Sequence, residues 1–144
     1  MPEPTPLLGP VVALIAWSLM MWLWMYLTRV PAILEAGMKL DPQAPRGRQM
    51  DQLPARVRWK ADNYNHLMEQ PTLFYPLILC LAWLGEQGAL VLALAWAYVL
   101  LRVIHSLVQA LGNRVQLRFV VYVLSNIPLF ALTVLVCIPL ISGS

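Results

Sequence analysis

Two stretches of this chain, Leu7 to Leu27 and Phe119 to Ile141, contain no charged residue at all. Each reaches the ~20 apolar residues that an α-helix needs to cross a hydrocarbon core of ~30 Å. Two further segments come close. Leu67 to Leu84 carries one charge, Glu69, and Ala89 to Leu111 is interrupted by Arg102, His105 and Gln109. Lipid offers no partner for backbone amides, so only helices or closed barrels span it. These runs are too long for barrel strands and lack period-two alternation. The fold class expected is therefore an all-α integral membrane protein, a four-transmembrane-helix bundle. Composition agrees, with 60% hydrophobic and 12% charged residues, about half the charged share of a soluble domain. The longest polar stretch, Arg29 to about Pro54, is short and proline-rich. It cannot bury a core of its own, so residues 1–144 are read as a single domain. Helices are expected at about 7–28, 54–84, 89–111 and 114–141. The N-terminal MPEPTPLLGP has no basic residue before its apolar run, so the first segment reads as a permanent helix rather than a cleaved signal.

Charge placement orients the chain. Of its ten basic residues, Arg29, Lys39, Arg46, Arg48, Arg56, Arg58 and Lys60 lie between the first and second segments. Arg114 and Arg118 lie between the third and fourth, and the opposite side holds only Glu3 and Glu86. The positive-inside rule then puts both basic loops in the cytoplasm and both termini outside. A multi-pass cell (inner) membrane protein is the expectation. The net charge of +3 follows from those loops, which suit anionic headgroups. They form no extended soluble surface for nucleic acid. The two cysteines, Cys80 and Cys137, are too few for a disulfide framework and read as packing residues. No metal-ligand spacing is evident.

Pro54 suits a first helical position, and a continuous helix from there to Leu84 would run roughly 46 Å at 1.5 Å per residue. Its first part should stand in the cytoplasm. Along it Asp62, Asn65, His66 and Glu69 recur at spacings of three, four and seven, which makes one stripe. Arg102, His105 and Gln109 make a second, and Arg118, Tyr122 and Ser125 or Asn126 a third. The topology brings all three to the inner leaflet. Polar groups at that depth are costly unless they meet one another or a hydrated cavity. A plain interhelical Arg102–Glu69 ion pair would satisfy part of this need. A site for an anionic ligand from the cytoplasm would satisfy all of it.

Two motifs carry a family resemblance. NHLMEQPTLFY is similar to an asparagine-x-x-glutamate opening of a second membrane helix, and RVIHSLVQALGNRVQLRFVVY to a third-to-fourth helix region. In the second motif Arg102, His105, Arg114, Arg118 and Tyr122 keep the register. The chain resembles, over nearly its whole length, the MAPEG family, membrane-associated proteins in eicosanoid and glutathione metabolism, and most of all a bacterial branch. The resemblance implies a homotrimer of four-helix subunits in contact with membrane lipids. It implies glutathione bound between subunits at the cytoplasmic leaflet, and a lipophilic small-molecule substrate arriving from the bilayer. Arg118 falls where the family's arginine faces the glutathione sulfur, with Tyr122 or His105 as a donor. Glu69 falls on the glutamate of the second helix and Arg102 and Arg114 on arginines for glutathione carboxylates, while the family's asparagine position falls on His66, with Asn65 beside it. Arg29 matches more loosely. Asp62 stands where many members have arginine, and Gln109 where they have tyrosine. The implied activity is a glutathione-dependent transferase or peroxidase. Those two departures favour an alternative, a non-catalytic lipid- or partner-binding protein on the same scaffold.

Overall fold

A computed structural model describes residues 5–45 and 47–142. Glu3 and Arg46, used above for orientation, lie outside them. The elements are α1 (Leu8–Glu35), a 3₁₀ turn (Met50–Gln52), α2 (Ala55–Leu67), α3 (Pro71–Trp83), α4 (Ala89–Leu111) and α5 (Val115–Ser142). Among the described residues three helices, α1, α4 and α5, are long and apolar enough to cross a membrane.

The second apolar segment behaves differently from expectation. In place of one helix over 54–84 there are two, parted at Met68–Gln70. The cause is Pro71, which has no N–H to donate and whose ring clashes with the carbonyl four residues back. It sits instead at the start of α3, where a missing N–H is harmless. The broken helix ends find other partners. Met68 N donates to the carbonyls of Tyr64 and Asn65, and Thr72 N to that of Glu69. α3 has 13 residues, about 20 Å at 1.5 Å each, too short to cross the hydrocarbon core unaided.

The other helix ends follow from glycine and asparagine. Gly37 (φ 57) and Gly85 (φ 76) take the left-handed conformation just past α1 and α3, which glycine adopts without steric cost. Met38 N then reaches Ile33 O at 3.2 Å, and Glu86 N reaches Leu81 O at 3.0 Å. After α4 the left-handed residue is Asn113 (φ 44), the side-chain type that tolerates this best after glycine.

α4 packs along α5 and also touches α1 and α2, while α3 lies against α5 and α1. Phe74 of α3 stacks on Tyr98 of α4, with centroids 4.6 Å apart and planes at 21°. α1 meets Trp96 of α4 at Gly9, where a Cβ would sit 3.4 Å from the indole, an ordinary contact. α2 is held to α1 by Lys60, whose Nζ lies 5.1 Å over the Trp24 ring and donates to Arg56 O. Burial, and then Arg56 nearby, lower the Lys60 pKa from its usual value. Only a third or so of each spanning stretch is buried, 33% in α1, 39% in α4 and 33% in α5. The remaining apolar faces look outward, as lipid or a second copy requires.

Candidate functional site

The break between α2 and α3 organises the polar groups. It frees the His66 carbonyl, and Arg102 of α4 reaches it, Nη2 to O 2.9 Å. Arg102 Nη1 lies 3.5 Å from Gln70 Oε1. The guanidinium is 1% exposed, and its charge sits at the C-terminal end of α2, where the helix dipole favours a cation. The Tyr122 ring lies 5.8 Å away. Gln70 in turn hydrogen-bonds to Asn126 of α5. One turn back along α2, Asn63 Nδ2 donates to Ser106 Oγ at 2.6 Å, both buried.

Glu69 does not pair with Arg102. Its Oε2 lies 3.0 Å from His66 Nδ1. Spacing along a helix gives depth, and here the helix stops before Glu69, so the carboxylate swings back onto the imidazole of the preceding turn. Among the described residues the ion pairs are this one and Arg58–Asp51 at 3.9 Å.

His66 lines a cavity of about 190 Å³ with His105, Val115, Arg118, Phe119 and Tyr122. The His66 and His105 rings meet edge to face at 6.1 Å, and His105 stands 6.0 Å from Tyr122. Arg118 is placed by the α4–α5 turn, its Nη1 donating to Asn113 Oδ1 at 2.7 Å. Left-handed Asn113 therefore both ends α4 and holds the arginine one turn into α5. Tyr122 is partly exposed, and its carbonyl accepts from Ser125 Oγ and Asn126 Nδ2.

The remaining predicted residues separate from this group. Asn65, one position before His66, lines a different cleft of about 300 Å³ with Arg29, Asp51, Arg58 and Asp62. Adjacent residues on a helix do not share a face, so the expected single stripe serves two openings. Arg114 is exposed on the α4–α5 turn, outside the lining of either. Gln109 is 1% exposed, with both amide atoms unpartnered among the described residues. Gln70 and Asn113 were missed by sequence reasoning. Their signals were present: an amide beside Glu69, and a Gly-Asn helix stop before Arg114.

An apolar groove of about 440 Å³ runs between α3 and α5, lined by Leu73, Leu77, Leu129 and Phe130 among others and ending at Gln70 and Asn126. One end of the groove thus touches the amide that Arg102 faces.

Helices throughout, three of them apolar spans among the described residues, and a basic, ring-lined cavity where α2, α4 and α5 meet define a membrane-embedded helical protein. The MAPEG family model matches residues 7–138, nearly the whole chain, and the protein belongs to that family. No curated protein and no solved structure matches it. The family contains glutathione transferases and peroxidases as well as non-catalytic members.

Proposed function

We propose that this protein is a membrane-bound glutathione-dependent transferase or peroxidase acting on lipophilic electrophiles, with Arg118 stabilising the thiolate. The observation that carries the reading is Arg118 sharing a small cavity with Tyr122, His105 and His66. A free thiol titrates near ~8.5, and a neighbouring cation lowers that value. One unit is worth about 1.4 kcal/mol. Lipid or a neighbouring subunit covering Val115 and Phe119, both exposed in the single chain, would lower the local dielectric and strengthen the arginine's effect. Tyr122 or His105 donates to the sulfur or to a leaving oxygen. The glutathione carboxylates fall to Arg114 and Arg102 and the ammonium group to Glu69, while Asn65 faces the other cleft. At about 190 Å³ the cavity is smaller than the roughly 300–1,000 Å³ of ordinary ligand sites. That supports a homotrimer in which a neighbouring subunit completes it. The α3–α5 groove supports a lipophilic substrate delivered from the bilayer of an inner membrane, both termini outside and the site at the cytoplasmic leaflet.

A second reading, a non-catalytic lipid- or partner-binding protein, draws on Arg102. Its guanidinium is buried and bonded to His66 O, which leaves less of it for a ligand carboxylate. Calorimetry with glutathione in detergent separates the two. Binding together with conjugation of a hydrophobic electrophile supports the enzyme, and absence of binding supports the alternative.

A further inference from the structure

The glutathione chemistry proposed above assigns no group to remove the thiol proton. We infer that His66 is the general base for this step and that Glu69 is its positioning residue. The inference rests on the glutathione reading, and the observation behind it is the 3.0 Å contact of Glu69 Oε2 with His66 Nδ1 on a residue that lines the Arg118 cavity. A carboxylate on Nδ1 fixes the proton there and leaves Nε2 as the acceptor. It also stabilises the imidazolium that forms when Nε2 takes a proton.

The pair is an i,i+3 neighbour pair at the turn that follows α2. With α2 ending at Leu67, Glu69 stands in the turn and folds back. Arg102 secures the same residue from behind, through the His66 carbonyl at 2.9 Å. Backbone and ring of His66 are thus held by two different side chains.

The charges facing the imidazole come from several elements. Glu69 and the C-terminal end of α2 favour its cation. Arg102 of α4 and Arg118 of α5 oppose it, while the His105 ring of α4 meets it edge to face. α3 contributes no charged side chain, and Arg29 of α1 lies in the separate cleft with Asn65. The cation formed by proton transfer therefore has one direct counter-ion, Glu69.

The step balances simply. The S–H bond of glutathione breaks, its proton goes to Nε2, and the electron pair stays on sulfur beside Arg118. The thiolate forms a bond to the electrophilic carbon, whose leaving group departs with the old bonding pair. The imidazolium then returns its proton to that leaving group or to water.

The test compares wild type, His66→Ala and Glu69→Gln in detergent, with glutathione binding followed by calorimetry. Turnover of a hydrophobic electrophile is followed against pH. The expected result for His66→Ala is glutathione binding within about threefold of wild type and a kcat lower by roughly 10²-fold, at the low end of general-base contributions. Its pH profile should rise only as the thiol itself ionises near ~8.5, and added imidazole should restore part of the rate. Glu69→Gln should weaken glutathione binding, since the same carboxylate serves the ammonium group. Beyond that it should lower kcat at saturating glutathione and shift the pH profile, which loss of an ammonium contact alone would not do. Unchanged kcat and pH profile in His66→Ala would overturn the base and leave the glutathione reading standing, making His66–Glu69 a surface ion pair only. Failure of imidazole rescue with the wild-type profile retained would do the same. Absence of glutathione binding to wild type would overturn both.

Discussion

The two sides of α2 make an instructive contrast. Asn65 and His66 are neighbours in sequence, yet one looks into a cleft with Arg29, Arg58, Asp51 and Asp62 and the other into a cavity with Arg118, His105 and Tyr122. In the cleft, arginines and aspartates are mixed, and Arg58 meets Asp51 at 3.9 Å with both side chains well exposed. Its charges largely answer one another through water. In the cavity, Arg118 is the lining residue with a fixed charge, and the others are rings and a valine. A guanidinium whose cavity lining holds no carboxylate keeps more of its field for a ligand than one already paired. A cation without a built-in counter-ion among apolar walls suits an anionic sulfur. A cation already answered by aspartate suits folding and solubility.

The largest expected effect is on the cavity side. Arg118→Ala should lower kcat/KM for conjugation by about 10²–10³-fold, the range seen when a preorganised charge-stabilising donor is lost. Gel filtration in detergent should show the assembly intact. Full activity in that variant would erase the distinction between the two openings.

Next comes the residue between them. Arg102→Leu removes the donor to the His66 carbonyl and leaves that carbonyl without its partner, which costs about 1–3 kcal/mol. Thermal melting in detergent should fall, and turnover should fall with it because the His66 turn loosens. A melting temperature equal to wild type would show that α2 and α3 meet correctly without the guanidinium. Asn113→Ala should be milder. It removes the acceptor for Arg118 Nη1 and puts a Cβ at φ 44 without side-chain help. A loss of about 1 kcal/mol is expected, with KM rising more than kcat falls. Smallest is the cleft pair. Arg58→Ala should change stability by less than about 1 kcal/mol, as exposed ion pairs do, and leave turnover within about twofold. A large loss of turnover there would move the functional centre to the cleft.

Much of this was legible in the sequence because the membrane allows few solutions. An uncharged run such as Phe119 to Ile141 has to be a helix, and α5 is one. The register Arg102, His105, Arg118, Tyr122 was readable too, since turn length and helical period together set depth. Azimuth was less accessible. Spacing put Asn65 and His66 on one stripe, and a helix turns far enough in one residue to part them. The break at Pro71 was also underestimated. Pro31, Pro76, Pro128 and Pro139 all lie inside helices, so proline alone does not predict a stop. What distinguishes Pro71 is a buried arginine from another helix that satisfies a freed carbonyl. That long-range fact has no local signature. The Glu69–His66 contact lies on the stripe that the spacing gave, but spacing alone could not say that Glu69 would pair with His66 rather than with Arg102. Gln70 and Asn113 carry no charge, and spacing alone does not mark which amide an arginine will meet.

The most direct measurement is a structure of the protein with glutathione bound. Sulfur within hydrogen-bonding distance of Arg118, in the space bounded by His66 and Tyr122, is the result this account predicts. Glutathione seated wholly in the cleft of Arg29, Asp62 and Asn65, with its sulfur remote from Arg118, would contradict it.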